Sequence, residues 1–377
     1  MAYRSDMSID AEHLQIKVEN GTASITLDRP KALHALTTSM CHSISASLEQ
    51  WWQDANIAHV MLTATPGRAF CAGGDIREAL AVMQAQMAGD TSQPDYFAGE
   101  YRMDMLIAGF PKPIITIADG LTMGGGAGLL FNASHPVITE NIDFTMPETG
   151  IGLFPDVAAS RFLRQAAGLL GLYIGLTGTR IGYADMLASG LMPGYVAHSD
   201  LPELKAALTQ AAAGGGDINA IIHGYLRQDT GDDTNGARLM PHLNWINDML
   251  SHQRLEDIRD TVAKSDHPLA AHLYEALQNR CPLSLKLTQR LLTGNPPDSY
   301  ISALLLDYAL AMRMMAYPDF GEGVRAAVID KDQNPKWSHQ RLEEVDETML
   351  DDLFSLEDRP SFPVPPMILT SLQHAPS

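Results

Sequence analysis

Four of the six residues in Met123-Gly124-Gly125-Gly126-Ala127-Gly128 are glycine. Glycine loses more conformational freedom on folding than any other residue, so a run of it belongs where the backbone passes close to another segment or to a ligand. The run lies between an apolar stretch behind Pro113, Ile114–Ala118, and a second one at 129–131. A buried strand, a tight turn and a short apolar helix fit this order. A second segment has the same plan. There a strand at His59–Ala64 leads to the turn Cys71-Ala72-Gly73-Gly74-Asp75 and a helix from Ile76.

The rest of the first half agrees with that alternation. Leu14, Ile16 and Val18 alternate with polar residues, Asn20-Gly21 is a type I′ turn signal, and Ala23, Ile25 and Leu27 resume the alternation. A helix from Thr37 or Thr38 puts Met40, Ile44, Leu48 and Trp51 on one stripe. Residues 86–99 read as a loop or lid, with a further helix from near Tyr101. Such repetition specifies an α/β fold with helices packed on sheet faces. Beyond about residue 165 helical stripes dominate, with loops expected at Gly214-Gly215-Gly216 and at 229–236. The expected organisation is a catalytic core over 10–200, a helical region over 201–355 and a flexible, proline-rich tail over 356–377.

Charge and cysteine content narrow the function. Lys and Arg number 26 against 45 Asp and Glu, a formal charge of −19. That surface repels phosphate backbones and anionic lipid, so nucleic acid and membrane are not expected partners. No apolar run approaches the ~20 residues of a spanning helix. Three cysteines without Cys-x-x-Cys spacing fit a reducing compartment and no thiolate zinc site. The first fifteen residues lack an apolar core, and a cytoplasmic protein is the expectation. Motifs for a P-loop, a dinucleotide fold, a nucleophile elbow and a zincin are missing. A calcium-like start at Asp330 fails at Pro335, where glycine is needed. Neither a metal nor a resident cofactor is expected.

Each glycine turn brings backbone N–H groups to a helix N-terminus, where they can hold an oxyanion. One such turn serves packing as readily as catalysis. Two supply the pair of donors that an acyl oxyanion needs. The segment Met146-Pro147-Glu148-Thr149-Gly150-Ile151-Gly152-Leu153-Phe154-Pro155-Asp156-Val157 adds two carboxylates in a loop stiffened by proline. They read either as solvated loop acids or as an acid/base pair in a partly dry loop.

The motifs Arg68-Ala69-Phe70-Cys71-Ala72-Gly73-Gly74-Asp75-Ile76, Met123-Gly124-Gly125-Gly126 and Met146-Pro147-Glu148-Thr149 resemble the crotonase (enoyl-CoA hydratase/isomerase) superfamily. Phe154-Pro155-Asp156-Val157 resembles its 3-hydroxyisobutyryl-CoA hydrolase branch, as do the distal segments Phe320-Gly321-Glu322-Gly323-Val324-Arg325-Ala326 and Ile329-Asp330-Lys331-Asp332-Gln333. The resemblance covers roughly residues 14–355. It implies a crotonase-like spiral of ββα units followed by a mostly helical C-terminal region, and acyl-CoA thioester hydrolysis in valine breakdown, with CoA entering as part of the substrate. By motif position, the oxyanion amides fall on Gly74 and Gly125, and the family glutamate on Glu148. Hydratases carry a second glutamate where this chain has Gly128. The hydrolase branch has instead an aspartate, at Asp156, and a glutamate, at Glu100, which also reads as a first-turn helix acid.

The resemblance implies CoA contacts at Arg29, Lys31, Leu33, Arg68, Ala72, Gly73, Asp75 and Ile76, with Arg77 a further flanking cation. Asp75 reads as a helix N-cap, Cys71 as a small buried residue, and His34 stands where the family often has asparagine. Glu148 is implied as general base or as nucleophile, and Glu100 and Asp156 as contacts to the substrate's 3-hydroxyl. The rival expectations are a hydratase or isomerase on the same fold and a non-catalytic binding protein. A homo-oligomer stands among the expected assemblies.

Overall fold

Asn20 and Gly21 carry φ angles of 49° and 85°, the two positive values that a two-residue type I′ turn demands. The computed structural model, which describes residues 7–90, 92, 95–228 and 236–373, places them between β2 (Leu14–Glu19) and β3 (Thr22–Leu27). Leu14 pairs with Leu27 and Ile16 with Ile25, so one register buries the whole apolar set on one face. An earlier strand, β1 (Met7–Ala11), pairs antiparallel with β2 through Met7–Val18 and Ile9–Ile16. Its short edge pattern carries little signal without that partner.

From β3 onward the chain winds as a spiral that adds one strand to each of two sheets. The elements are α1 (Thr38–Trp51), β4 (His59–Ala64), β5 (Ala69–Cys71), α2 (Ile76–Met87), α3 (Tyr96–Ala108), β6 (Ile114–Ala118), β7 (Leu121–Met123), α4 (Gly125–Phe131), β8 (His135–Ile138) and β9 (Asp143–Thr145). The large sheet runs β1-β2-β3-β4-β6-β8, parallel from β3 onward, and the small sheet β5-β7-β9 is parallel throughout. The three-residue strands of the small sheet leave no mark in the sequence, because three residues show no period.

Both faces of the central strands β4 and β6 are covered, so His59–Thr63 and Ile114–Ala118 are buried at every position. Val60, Leu62 and Ile114 join the core beneath α1, where Met40, Ile44, Leu48 and Trp51 form the expected buried stripe. Met61, Ile115 and Ile117 face the other way, onto Leu204 and Leu208 of the helix Leu201–Gly214. Gly215, at φ 70°, closes that helix where a loop was expected. Most of the loop expected at 229–236 lies outside the described residues.

Two expectations change. The helix expected from near Tyr101 begins at Tyr96, because the Asp95 carboxylate accepts the Ala98 N–H at 3.1 Å and caps it. Gly99 disguised this turn as loop; it gives the His42 ring room against the helix. The tail expected to be flexible from 356 carries a helix, Pro366–Gln373, and two buried anchors. The Phe362 ring meets Tyr308 edge-on at 4.9 Å, and Ile368 fills the space left by the missing side chain of Gly109. Proline suits the first helical position, where its fixed φ matches the helix and no intrahelical bond needs an amide hydrogen. Residues 374–377 lie outside the described region.

Ile368→Ala is expected to cost about 2 kcal/mol or more, the range for emptying a buried aliphatic site. Thermal melts of the full chain read this as a lowered Tm; an unchanged Tm would mean that the tail is not docked.

Candidate active site

The turn after β5 is built by a neighbouring backbone. A 3₁₀ turn, Pro30–Ala32, ends in two left-handed residues, Leu33 and His34, with φ of 52° and 57°. The Arg29 amide donates to His34 Nδ1 at 3.0 Å, so the histidine closes this turn. The chain then runs beside residues 72–75. Ala72 N–H donates to Leu33 O at 2.9 Å, Leu36 N–H to Gly73 O at 2.8 Å, and Asp75 N–H to Leu36 O at 2.7 Å. The Gly74 N–H is left out of this ladder. Asp75 caps α2 by accepting the Glu78 N–H at 3.3 Å.

The second turn opens α4, whose first N–H groups have no partner within the helix. The two turns touch through bare backbone. A Cβ on Gly126 would collide with the Cys71 carbonyl oxygen, and one on Gly125 would stand 3.4 Å from Gly74 N. The amides of Gly74 and Gly125 are therefore neighbours. Neither donates to another backbone group among the described residues. They border a cleft of about 400 Å³ whose walls include Ile76, Phe97, Met123, Phe320 and Val328.

Three carboxyl groups project into this cleft, and each is at least 95% buried. Glu148 stands on a 3₁₀ turn, Glu148–Ile151, closed by Gly152 at φ 75°. Its Oε1 lies 3.1 Å from where a side chain on Gly124 would begin. Burial, and then the charge of Asp156, push it well above the ordinary carboxylate range. The Arg280 guanidinium opposes that shift. It donates to Thr149 Oγ1 at 2.8 Å and to Pro147 O at 3.3 Å, and burial pulls it down to about 10. Asp156 accepts the Tyr101 hydroxyl at 2.5 Å and is pushed up to about 6 by burial. Glu100, on α3, has Oε1 directly over Gly125, where any Cβ would meet it. Burial, then Asp156, push it up to about 8. Of the two readings open in the sequence, solvated loop acids do not describe Glu148 or Asp156.

Gly128 has a neighbour that sequence reading did not supply. A Cβ there would lie 2.9 Å from both Asp104 oxygens and 3.0 Å from Val157 Cβ. Asp104, one turn after Glu100 on α3, is fully buried and held well above the carboxylate range by burial and then by Glu100. Tyr101, Asp104 and Arg280 were missed. Asp104 had a readable signal, a lone acid in an apolar helical stretch. Arg280 had none.

The segments implied to hold CoA divide. Ala72, Gly73 and Ile76 line the cleft with Gly74. Leu33 acts through its carbonyl on Ala72, and Asp75 faces Arg29, whose guanidinium donates to it at 2.8 Å. Arg77 donates to Val328 O at 2.7 Å. Lys31 and Arg68 are exposed and outside the cleft wall. The Cys71 thiol is buried, donates to His34 O at 3.3 Å, and is pushed up to about 12 by burial.

Comparison with known proteins agrees with this geometry. The family model described as enoyl-CoA hydratase/isomerase matches residues 22–354. A 3-hydroxyisobutyryl-CoA hydrolase of Gallus gallus is 37% identical over 345 residues, 91% of this chain and 89% of that protein. A solved structure described as an enoyl-CoA hydratase from Rhodobacter sphaeroides 2.4.1 has a TM-score of 0.80 at 34% identity, covering 94% of this chain and 98% of the other. One described as a carnitinyl-CoA dehydratase from Mycobacterium thermoresistibile has a TM-score of 0.81 at 29% identity, covering 93% and 98%. The chain belongs to the enoyl-CoA hydratase/isomerase (crotonase) family and has its α/β spiral fold with a helical C-terminal region. The expectation of a cytoplasmic protein is corrected: the vertebrate relatives, at 34 to 37% identity, are named as mitochondrial. Sparse unpaired cysteines mark reducing surroundings, which does not distinguish the cytosol from a mitochondrial interior.

The raised carboxyls make stability depend on pH. Folded Glu100 holds a proton that the unfolded chain releases near 4.5. Its contribution is complete below that value and is lost as pH rises through about 8. Glu100→Gln is expected to flatten the fall in stability between pH 5 and 8.5, by an amount on the order of a few kcal/mol, read as a flatter dependence of Tm on pH. Parallel curves for the two proteins would show that Glu100 is ionised in the fold.

Proposed function

We propose that this family member is an acyl-CoA thioester hydrolase acting on 3-hydroxyisobutyryl-CoA. The observation that carries the proposal is the cleft's acid content. Gly128, where hydratases place a second glutamate, has no carboxyl and no room for one, while Glu100 and Asp156 face the cleft beside Glu148. The name of the Gallus gallus relative supports the same reading.

In this reading the amides of Gly74 and Gly125 bind the thioester oxygen and stabilise the tetrahedral oxyanion. Removing one such donor costs ~10²–10³ in rate. Glu148 acts by one of two routes. As a general base it takes a proton from water while the water oxygen bonds to the thioester carbon. The oxyanion then re-forms its carbonyl, the carbon–sulfur bond breaks, and the CoA thiolate takes the proton from Glu148. As a nucleophile it bonds to that carbon itself, expels the thiolate and leaves a mixed anhydride that water cleaves. Glu100 remains protonated at neutral pH, being pushed up to about 8, and donates to the substrate's 3-hydroxyl oxygen. Asp156 accepts from that hydroxyl. Protonated Glu100 also spares Glu148 one of two neighbouring charges.

Local donors receive the anionic coenzyme on a chain of net charge −19. The backbone at Ala72, Gly73 and Ile76 holds the thioester arm, and Lys31 and Arg68 offer exposed cations. Arg29 and Asp75 fix each other and shape the turn. A hydratase is the second reading, favoured by the family description and the solved relatives. It needs Glu100 or Asp156 to serve as the second acid.

The deciding assay follows free thiol from 3-hydroxyisobutyryl-CoA and, in parallel, loss of crotonyl-CoA absorbance. Rapid thiol release that Glu148→Gln lowers by about 10³-fold or more, without hydration, is the expected result. Hydration without thiol release would replace this reading by the hydratase.

A further inference from the structure

Asp156 is followed by two residues with positive φ, Val157 at 51° and Ala158 at 67°. Neither is glycine. For a β-branched residue this conformation is an outlier, so the surroundings must impose it. A side chain that grips the second of the two comes from the helix Tyr300–Met314, far away in sequence. Asp307 Oδ2 accepts the Ala158 N–H at 2.7 Å, and the Asp307 side chain is fully buried. Asp307 is not part of the cleft wall.

That helix is tied to α3 as well. Tyr308, next to Asp307, donates its hydroxyl to Asp95 at 2.7 Å, and its ring meets Tyr101 edge-on at 6.5 Å. Tyr101 in turn donates to Asp156. The Asp156 carboxyl is thus held from its own backbone side by Asp307 and from its free end by Tyr101. Burial, opposed by the Ala158 N–H, holds the Asp307 carboxyl well above the carboxylate range. A carboxyl acting as a buried acceptor for one amide fits that state.

We propose that Asp307 is a positioning residue: by holding the left-handed Val157–Ala158 pair it aims Asp156 at the acyl hydroxyl, and so sets the preference for hydroxylated acyl-CoA. The inference rests on the role of Asp156 proposed above. It assigns no contact between Asp307 and substrate. The helical C-terminal region thereby contributes to substrate choice from behind the cleft.

The test compares kcat/KM for 3-hydroxyisobutyryl-CoA and isobutyryl-CoA, which lacks the hydroxyl. Asp307→Ala is expected to lower the ratio about tenfold or more, the size of one lost charge-assisted hydrogen bond, with little change for isobutyryl-CoA. Asp307→Asn keeps an oxygen for the Ala158 N–H and is expected to keep the ratio. Asp156→Asn should lower it alone, and adding Asp307→Ala to Asp156→Asn should lower it no further. Equal losses on both substrates, or an unchanged ratio in folded Asp307→Ala, would overturn the proposal. If the alanine variant does not fold, Asp307→Ser reads the same ratio. The ratio is also measured as Kd in the Glu148→Gln background. A wild type without hydrolysis then refutes the thioesterase reading, while the Kd ratio still decides the role of Asp307.

Discussion

Bare backbone against bare backbone is the constraint on which this site depends. The turn after β5 and the turn after β7 meet at Gly126 and the Cys71 carbonyl with no space for one carbon atom between them. That approach sets the Gly74 and Gly125 amides side by side, each freed from the ladder or helix that would otherwise use it. Parallel strands deliver the turns. β5 and β7 are hydrogen-bonded neighbours, so the segments leaving their ends emerge together. The left-handed pair Leu33 and His34 then lays residues 33–36 alongside and takes up the remaining polar groups of the first turn.

Around the amides the protein concentrates acids in a dry place. Glu100, Glu148 and Asp156 share the cleft, and Asp104 and Asp307 lie buried behind it, with Arg280 the cation set beside Glu148. So many carboxyls cannot all ionise at close range, and protons must be shared among them. The arrangement costs stability and supplies donors and acceptors at neutral pH, a bargain that suits acyl chemistry. Its supports are drawn from the whole chain. Tyr101 comes from α3, Arg280 precedes the helix Pro282–Thr293, Asp307 belongs to Tyr300–Met314, and Phe320 and Val328 close the cleft.

Much of the fold was legible. The hairpin turn, the α1 stripe and the strands His59–Ala64 and Ile114–Ala118 each carry a local period or a turn residue of unambiguous geometry. The small sheet was not, because its strands are three residues long and owe their existence to pairing. The start of α3 was masked by Gly99, and the docked tail by its prolines. In the site, motif likeness marked Gly74, Gly125, Glu148, Asp156 and Glu100, and the structure gathers all five around one cleft. It does not gather Lys31 or Arg68 there.

By itself, then, the sequence determined what is written in neighbouring residues: the alternation of strand, glycine turn and helix, the family, and the carboxyl that Gly128 lacks. Tertiary structure alone decided how those acids behave. Whether Glu148 and Asp156 are wet or dry, which oxygen Tyr101 reaches, and that Asp307 grips Ala158 are facts about segments far apart in the chain. The reason is physical. Backbone geometry follows from local sterics and so leaves a local trace. Desolvation and charge coupling depend on distances through space, and no spacing along the chain records them.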